Sequence, residues 1–291
     1  MRSFILGTDW GEDCDDAVCV RVLARSHKAG KINFIGAGIN TYTEYAAPSL
    51  YKFLEMENCI IPIGVDKNCS KTDWQNRYQP RLAGMTDKRD SDFEDAVRVY
   101  RRLIAEAEGK VEIVEVGFLQ VLADTLLSQG DDISPLTGME LFEKKVDKVW
   151  IMGGKWCEQG GKEFNFSYTP FACRASATVL EKCPCEITLL GWEVGAGVIT
   201  GNTLSKDDYL YRVLADHGCP DGRESWDPMT AILAVIGDEE KAGYDAIPIS
   251  ARVDPNTGAN YFTPDNQSKI KYVVKREPDS FYTEMINKII Q

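Results

Sequence analysis

The segment Thr8-Asp9-Trp10-Gly11-Glu12-Asp13-Cys14-Asp15-Asp16-Ala17 places five acidic side chains within eight residues. Like charges crowded on one loop repel one another unless solvent or a bound cation relieves them. An oxygen donor set with no suitable His or Cys favours a hard divalent ion, calcium or magnesium, over zinc. Gly11 permits the tight turn that folds the carboxylates toward one point. A plainer reading makes Asp15 or Asp16 a helix cap, its carboxylate accepting backbone N–H bonds at the positive end of the helix dipole. That reading accounts for one or two of the five carboxylates and leaves the rest without a partner.

The elements around this loop decide where it points. Strand-length apolar runs, Phe4 to Asp9, Ile32 to Ile39, Ile60 to Val65, Val111 to Val116, Val149 to Gly153 and Ile187 to Val194, alternate with amphipathic stretches. The latter predict helices over Asp15 to His27, Glu44 to Met56, Asp92 to Ala107, Leu119 to Ser128 and Pro170 to Lys182. Such alternation predicts an α/β fold, a doubly wound, mainly parallel sheet with helices on both faces. Near the end, Ile249 to Val253 and Tyr261 to Thr263 flank the turn-rich Asp254-Pro255-Asn256-Thr257-Gly258 and predict a small hairpin. A strand at Lys271 to Lys275 and a helix at Phe281 to Ile290 follow it. No repeat or linker interrupts residues 1–291, which read as one domain. The acidic loop then falls at the carboxyl end of the first strand, where doubly wound folds bind ligands. Two long irregular stretches, Asp66 to Asp90 and Lys155 to Ser167, are candidates for the walls and lid of a pocket.

The formal charge of −12, with no basic run, argues against a nucleic-acid partner. No stretch approaches membrane-spanning length. The N-terminal apolar run is too short for a signal peptide, and nine scattered cysteines read as the thiols of a cytoplasmic protein. Cys183 and Cys185 are the only close pair, so a structural zinc is not expected from these spacings.

The acidic segment resembles the Asp-Thr-Asp-Pro-Gly-x-Asp-Asp-Ala signature of the inosine/uridine-preferring nucleoside hydrolase family. Thr8-Asp9, Gly11 and Asp15-Asp16-Ala17 match it. Gly7 replaces the first Asp, Trp10 replaces the Pro, and two extra residues lie between Gly11 and Asp15. Further segments agree in the family's order. Val116-Gly117-Phe118-Leu119-Gln120 resembles Gly-Pro-Leu-Thr-Asn, and Met152-Gly153-Gly154 is the family's Met-Gly-Gly. Glu163-Phe164-Asn165-Phe166 is similar to Glu-Phe-Asn-Ile, and Trp226-Asp227-Pro228 to His-Asp-Pro. Ordered agreement of several motifs across about the whole chain is far more specific than any one of them.

The resemblance implies calcium-dependent hydrolysis of the N-glycosidic bond of a ribonucleoside. Asp9, Asp16 and Asp227 would ligate Ca2+ with the Gln120 carbonyl, and Asp9 would also activate a metal-bound water. Asp15, Glu163 and Asn165 would hold ribose hydroxyls, with Asn40 nearby. A homodimer or homotetramer is common in the family. Where many members carry a His that assists the leaving base, this chain has Trp226. Trp226, or Trp156, Tyr168, Trp74 or Tyr78 from the irregular loops, would stack on the base. Each residue has an ordinary alternative: Asp227-Pro228 as a helix cap, Trp226 as core, Glu163 and Asn165 as loop polars. The altered signature also leaves open a relative that binds calcium and a ribosyl ligand without turnover. A magnesium-dependent phosphatase of the haloacid dehalogenase type would need an Asp-x-Asp start, which Asp9-Trp10-Gly11 does not supply.

Overall fold

The computed structural model describes residues 1–69 and 75–291. Its strands are β1 (Ser3–Thr8), β2 (Asn33–Ile39), β3 (Ile63–Val65), β4 (Glu94–Asp95), β5 (Val111–Glu115), β6 (Val146–Met152), β7 (Glu186–Leu190), β8 (Ile199–Thr200), β9 (Arg223–Glu224), β10 (Tyr244–Val253), β11 (Asn260–Pro264) and β12 (Ile270–Lys275). The main sheet has the order β11-β10-β12-β7-β6-β5-β1-β2-β3-β4, and β8 and β9 form a separate antiparallel pair. From β12 across to β4 every neighbouring pair is parallel. The expected hairpin is present, with Val253 opposite Asn260 and Ile249 opposite Pro264. It extends the sheet through the antiparallel pair β10 and β12.

Helices cover both faces: α1 (Asp15–Lys28), α2 (Ala46–Met56), α3 (Gln79–Ala83), α4 (Ala96–Glu106), α5 (Gln120–Leu127), α6 (Gly138–Lys145), α7 (Phe164–Ser167), α8 (Pro170–Lys182), α9 (Trp192–Gly195), α10 (Tyr209–His217), α11 (Trp226–Ile236) and α12 (Asp279–Ile290). Alternation along β1 sends Phe4 and Leu6 into the core beneath α1 and α11, and Ile5 into the core beneath α4 and α5. None of the helices among the described residues is long and apolar enough to cross a membrane.

The structure shortens several expected elements for local reasons. Ile60 to Val65 pairs only from Ile63, after Pro62, which has no N–H to donate. The helix expected from Asp92 begins at Ala96, because the Asp95 carboxylate accepts the Val97 and Arg98 N–H groups and caps it there. The strand expected to reach Val194 stops at Leu190, and the chain turns into α9. Helices α6 and α10 lay outside the expectations, although Thr137 and Glu140 form a capping box that announces α6.

The chain leaves β1 toward β2, β3 and β4 on one side and returns to place β5 on the other. Strand order therefore reverses at β1 and β5, which makes a crevice at their carboxyl ends.

Candidate active site

The crevice is built where β1 ends. Gly11, at φ 109, turns the chain back, and Gln79 holds the turn by donating from Nε2 to the Gly11 carbonyl at 2.8 Å. Helix α1 then starts with Asp15 and Asp16, and α11, packed along α1, brings Asp227 in its own first turn. Asp15 Oδ2 accepts the Asp227 N–H at 3.1 Å, and the Thr8 hydroxyl donates to Asp16. One carboxyl oxygen from each of Asp15, Asp16 and Asp227 lies within 4.8 Å of the other two. Asp9 shares with them a cavity of about 480 Å³, a size that suits a small organic ligand. None of Asp15, Asp16 and Asp227 caps its own helix, since the cap positions are Cys14 for α1 and Ser225 for α11, and Asp15 instead serves an N–H in the first turn of α11.

All four of these carboxyl groups are buried and held well above the usual carboxylate range. Burial is the largest cause, and the neighbouring acids add to it: Glu12 at Asp9, Asp13 at Asp15, Asp9 at Asp16 and Asp15 at Asp227. The nearby Arg223 is engaged by Asp13, to which its Nε donates at 2.9 Å. Among the described residues no Lys or Arg pairs with Asp9, Asp15, Asp16 or Asp227, so the cluster has the donor chemistry of a hard divalent cation site.

The facing wall comes from the loop after β6. Glu163 accepts the Gly154 N–H at 2.9 Å through Oε2 and the Asn165 N–H at 2.8 Å through Oε1. Burial nonetheless pushes its carboxyl up to about 7. Asn165 Nδ2 donates to the carbonyls of Val116 and Met152, tying the ends of β5 and β6 together. Asn40 stands beside Asp9, and neither it nor Gln120 lines the cavity. Gln120 Nε2 donates to the Asn40 carbonyl at 3.1 Å, and Asn40 Oδ1 accepts the Phe118 N–H at 3.1 Å. Gly117 makes the close approach possible: a Cβ there would lie 2.4 Å from the Asp9 nitrogen and 2.6 Å from Asn40 Oδ1. Gly117→Ala is expected to destabilise the protein by about 1–3 kcal/mol, read as a lower Tm, because the site has no room to relax. An unchanged Tm would contradict this packing.

No family model matches the sequence, and no curated protein matches it. Solved structures do. An inosine-guanosine nucleoside hydrolase superposes with a TM-score of 0.72 at 16% identity, covering 99% of this chain and 98% of its own. The inosine-uridine preferring nucleoside hydrolase from Bacillus anthracis gives 0.69 at 17% identity, over 100% and 99% of the two chains. The type III effector protein XopQ, solved with adenosine diphosphate ribose, gives 0.69 at 14% identity over 99% and 92%. The fold is that of the nucleoside hydrolases.

Within this nucleoside hydrolase fold the chain departs from the expected signature in ways the structure explains. Gly7 pairs with Glu115 across β1 and β5, and a Cβ on Gly7 would lie 1.7 Å from Glu115 Oε2. The carboxyl of Glu115 thus fills the space where the signature's first Asp would begin. Tyr100 donates to its Oε1 at 3.0 Å, and burial pushes it up to about 8. Trp10, in the place of Pro, is fully buried and donates from Nε1 to Ser49 Oγ at 2.8 Å.

The aromatic expectations divide. Trp226 is half-buried, lines the cavity, and donates from Nε1 to the Trp192 carbonyl at 2.8 Å. Trp156 is a core residue, because its ring is buried among Phe166, Phe262 and Tyr272 and its Nε1 reaches the Gly153 carbonyl. Tyr78 is likewise buried, its hydroxyl donating to the Asp13 carbonyl at 3.0 Å. Tyr168 stacks on Phe118 and packs against the lining residue Phe164 without lining the cavity itself, and Trp74 lies outside the described residues. Trp192, Arg77 and Arg223 line the cavity without having been singled out in the sequence. Arg223 could have been suspected only as a cation close to the Asp227 motif.

Proposed function

We propose that this chain hydrolyses the N-glycosidic bond of ribonucleosides, releasing ribose and free base, with calcium as cofactor. The observation that carries the reading is the convergence on one cavity of the Asp15, Asp16 and Asp227 oxygens, Asp9, and the Glu163 and Asn165 wall. Asp9, Asp16 and Asp227 would hold the cation, with the Gln120 carbonyl as a further donor. When bound, the cation would orient a vicinal diol and lower the pKa of a coordinated water, so that a neighbouring carboxylate can take its proton. Asp9 accepts the proton of the attacking water as the sugar becomes oxocarbenium-like, the work a carboxylate does in inverting glycosidases. Asp15, Glu163 and Asn165 take the ribose hydroxyls, with Asn40 nearby, its N–H donated to the Thr8 carbonyl. Trp226 and the exposed Trp192 offer flat faces to the base.

The solved nucleoside hydrolases that share the fold support this reading, in which the chain acts as one domain in the cytoplasm and serves nucleoside salvage. The test is release of reducing sugar from a panel of ribonucleosides, before and after chelation. Ribose and base should appear with Ca2+ and cease with chelator; no release from any ribonucleoside would overturn the proposal.

A second reading, ribosyl binding without turnover, is favoured by one feature: no histidine lines the cavity among the described residues, and Trp226 stands in its place. Tight binding of a ribosyl ligand in the presence of Ca2+, with no base released, would establish it.

A further inference from the structure

The extended part of the acidic loop is joined to the strand that leads into Trp226. There Asp13 accepts from Arg223 through both oxygens: Nε donates to Oδ1 at 2.9 Å and to Oδ2 at 3.1 Å, and Nη2 donates to Oδ2 at 2.5 Å. The Cys14 N–H, donating to Asp13 Oδ1 at 2.6 Å, fixes the carboxylate in turn. Arg223 lies in β9 opposite Thr200 of β8, so its backbone is fixed as well. Its guanidinium stands 5.0 Å over the ring of Trp226, and both side chains line the cavity. Nη1, 3.5 Å from Glu224 Oε2, carries no hydrogen bond among the described residues, which leaves an N–H edge of the guanidinium for a ligand.

We propose that Arg223 is a catalytic residue of the hydrolysis, donating hydrogen bonds to the departing base and meeting the negative charge that develops on it. This role rests on the hydrolase reading, which puts the base against Trp226 and Trp192 and leaves its departure without an imidazole. As the C–N bond breaks, the bonding pair goes to the base nitrogen. Arg223 meets the charge there, and the proton that Asp9 takes from the attacking water reaches that nitrogen afterwards through solvent. A guanidinium does not give up a proton at ordinary pH, but its planar fork presents several N–H donors in a fixed direction. A base that stacks on the aromatic surface left open by Arg223 turns its heteroatom edge toward that fork. The Asp13 carboxylate offsets part of the positive charge, so the help is that of oriented donors, about 10²–10³-fold for one such group. An ion pair that only pinned the loop would need neither a place on the cavity wall nor an uncommitted N–H edge. Two departures from the family signature thus act together: the extension supplies Asp13, and Asp13 holds Arg223 over the tryptophan that stands where an imidazole is expected.

The test is how the loss in Arg223→Ala depends on the leaving group, measured with Ca2+ on inosine, on uridine and on p-nitrophenyl riboside, whose nitrophenolate departs without help. Ribonucleoside kcat/KM should fall by about 10²–10³-fold, most of it in kcat, and riboside kcat/KM by less than about tenfold. Arg223→Lys, which keeps the charge and loses the fork, should recover only part of the loss. Free ribose, followed by calorimetry, should bind the variants as it binds the native chain, because Arg223 is placed on the base and not on the sugar. Melting curves confirm that both variants are folded. Equal losses on the two substrate classes, weakened ribose binding, or no loss on ribonucleosides would overturn the role of Arg223 and leave the hydrolase reading standing. A native chain that cleaves neither class overturns that reading, and this role with it.

Discussion

Asp9→Asn is expected to lower ribonucleoside turnover by about 10²- to 10⁴-fold, the usual contribution of a positioned proton acceptor, with weakened cation binding adding to the loss. The substitution keeps the shape of a side chain that is only 5% exposed and makes no ion pair. In protein freed of cations the variant should melt higher than the native chain. Burial, and then the charge of Glu12, hold the Asp9 carboxyl well above its usual range, so a neutral amide there removes a cost of folding. Activity falls while cation-free stability rises, the trade expected at a site strained for function. Turnover close to native in the Asn variant with Ca2+ bound would exclude Asp9 as the acceptor. A lower Tm in chelator would contradict the electrostatic account.

The second large effect is on the sugar. A site built to satisfy hydroxyls is left with unpaired buried polar groups by a substrate that lacks one, and such sites reject the analogue by about 10⁴–10⁵. Glu163 and Asn165 are both buried, and each is fixed by backbone hydrogen bonds that leave little freedom to adapt. 2-Deoxynucleosides should therefore lose about that factor in kcat/KM. Exchange of one base for another should cost much less, because stacking on Trp226 or Trp192 depends little on exact hydrogen bonding. A substrate with a good leaving group, such as p-nitrophenyl riboside, should react best in a cavity with no histidine among its described residues. Equal rates for ribo and deoxyribo substrates would defeat the proposed diol recognition.

The sequence carried the parts of this site that depend on short-range pattern. The acidic loop after β1 could be placed because a strand, a glycine turn and an amphipathic helix follow one another without a gap. Asp227 was legible only through its resemblance to a motif. Its meeting with Asp15 and Asp16 depends on α11 packing along α1, a long-range contact that no local pattern encodes. The same limit explains the aromatics. Trp156 and Tyr78 come from irregular stretches that look like exposed loops, yet each turns inward, and only the tertiary structure supplies the partners that bury them. Asp13 had no assignable role from sequence because its partners, Arg223 and His217, are remote in the chain. The exchange of volume between Gly7 and Glu115 is visible only once β1 and β5 are known to pair in register.

The proposed site holds a cation on its buried carboxylates against a ribosyl ligand. Diffraction from crystals grown with calcium and ribose tests it most directly. One calcium ion is predicted among Asp9, Asp16 and Asp227, with ribose hydroxyls bonded to it and the sugar resting against Glu163 and Asn165. Ribose bound in the cavity with no ion at these carboxylates, or calcium bound only elsewhere, would contradict the claim.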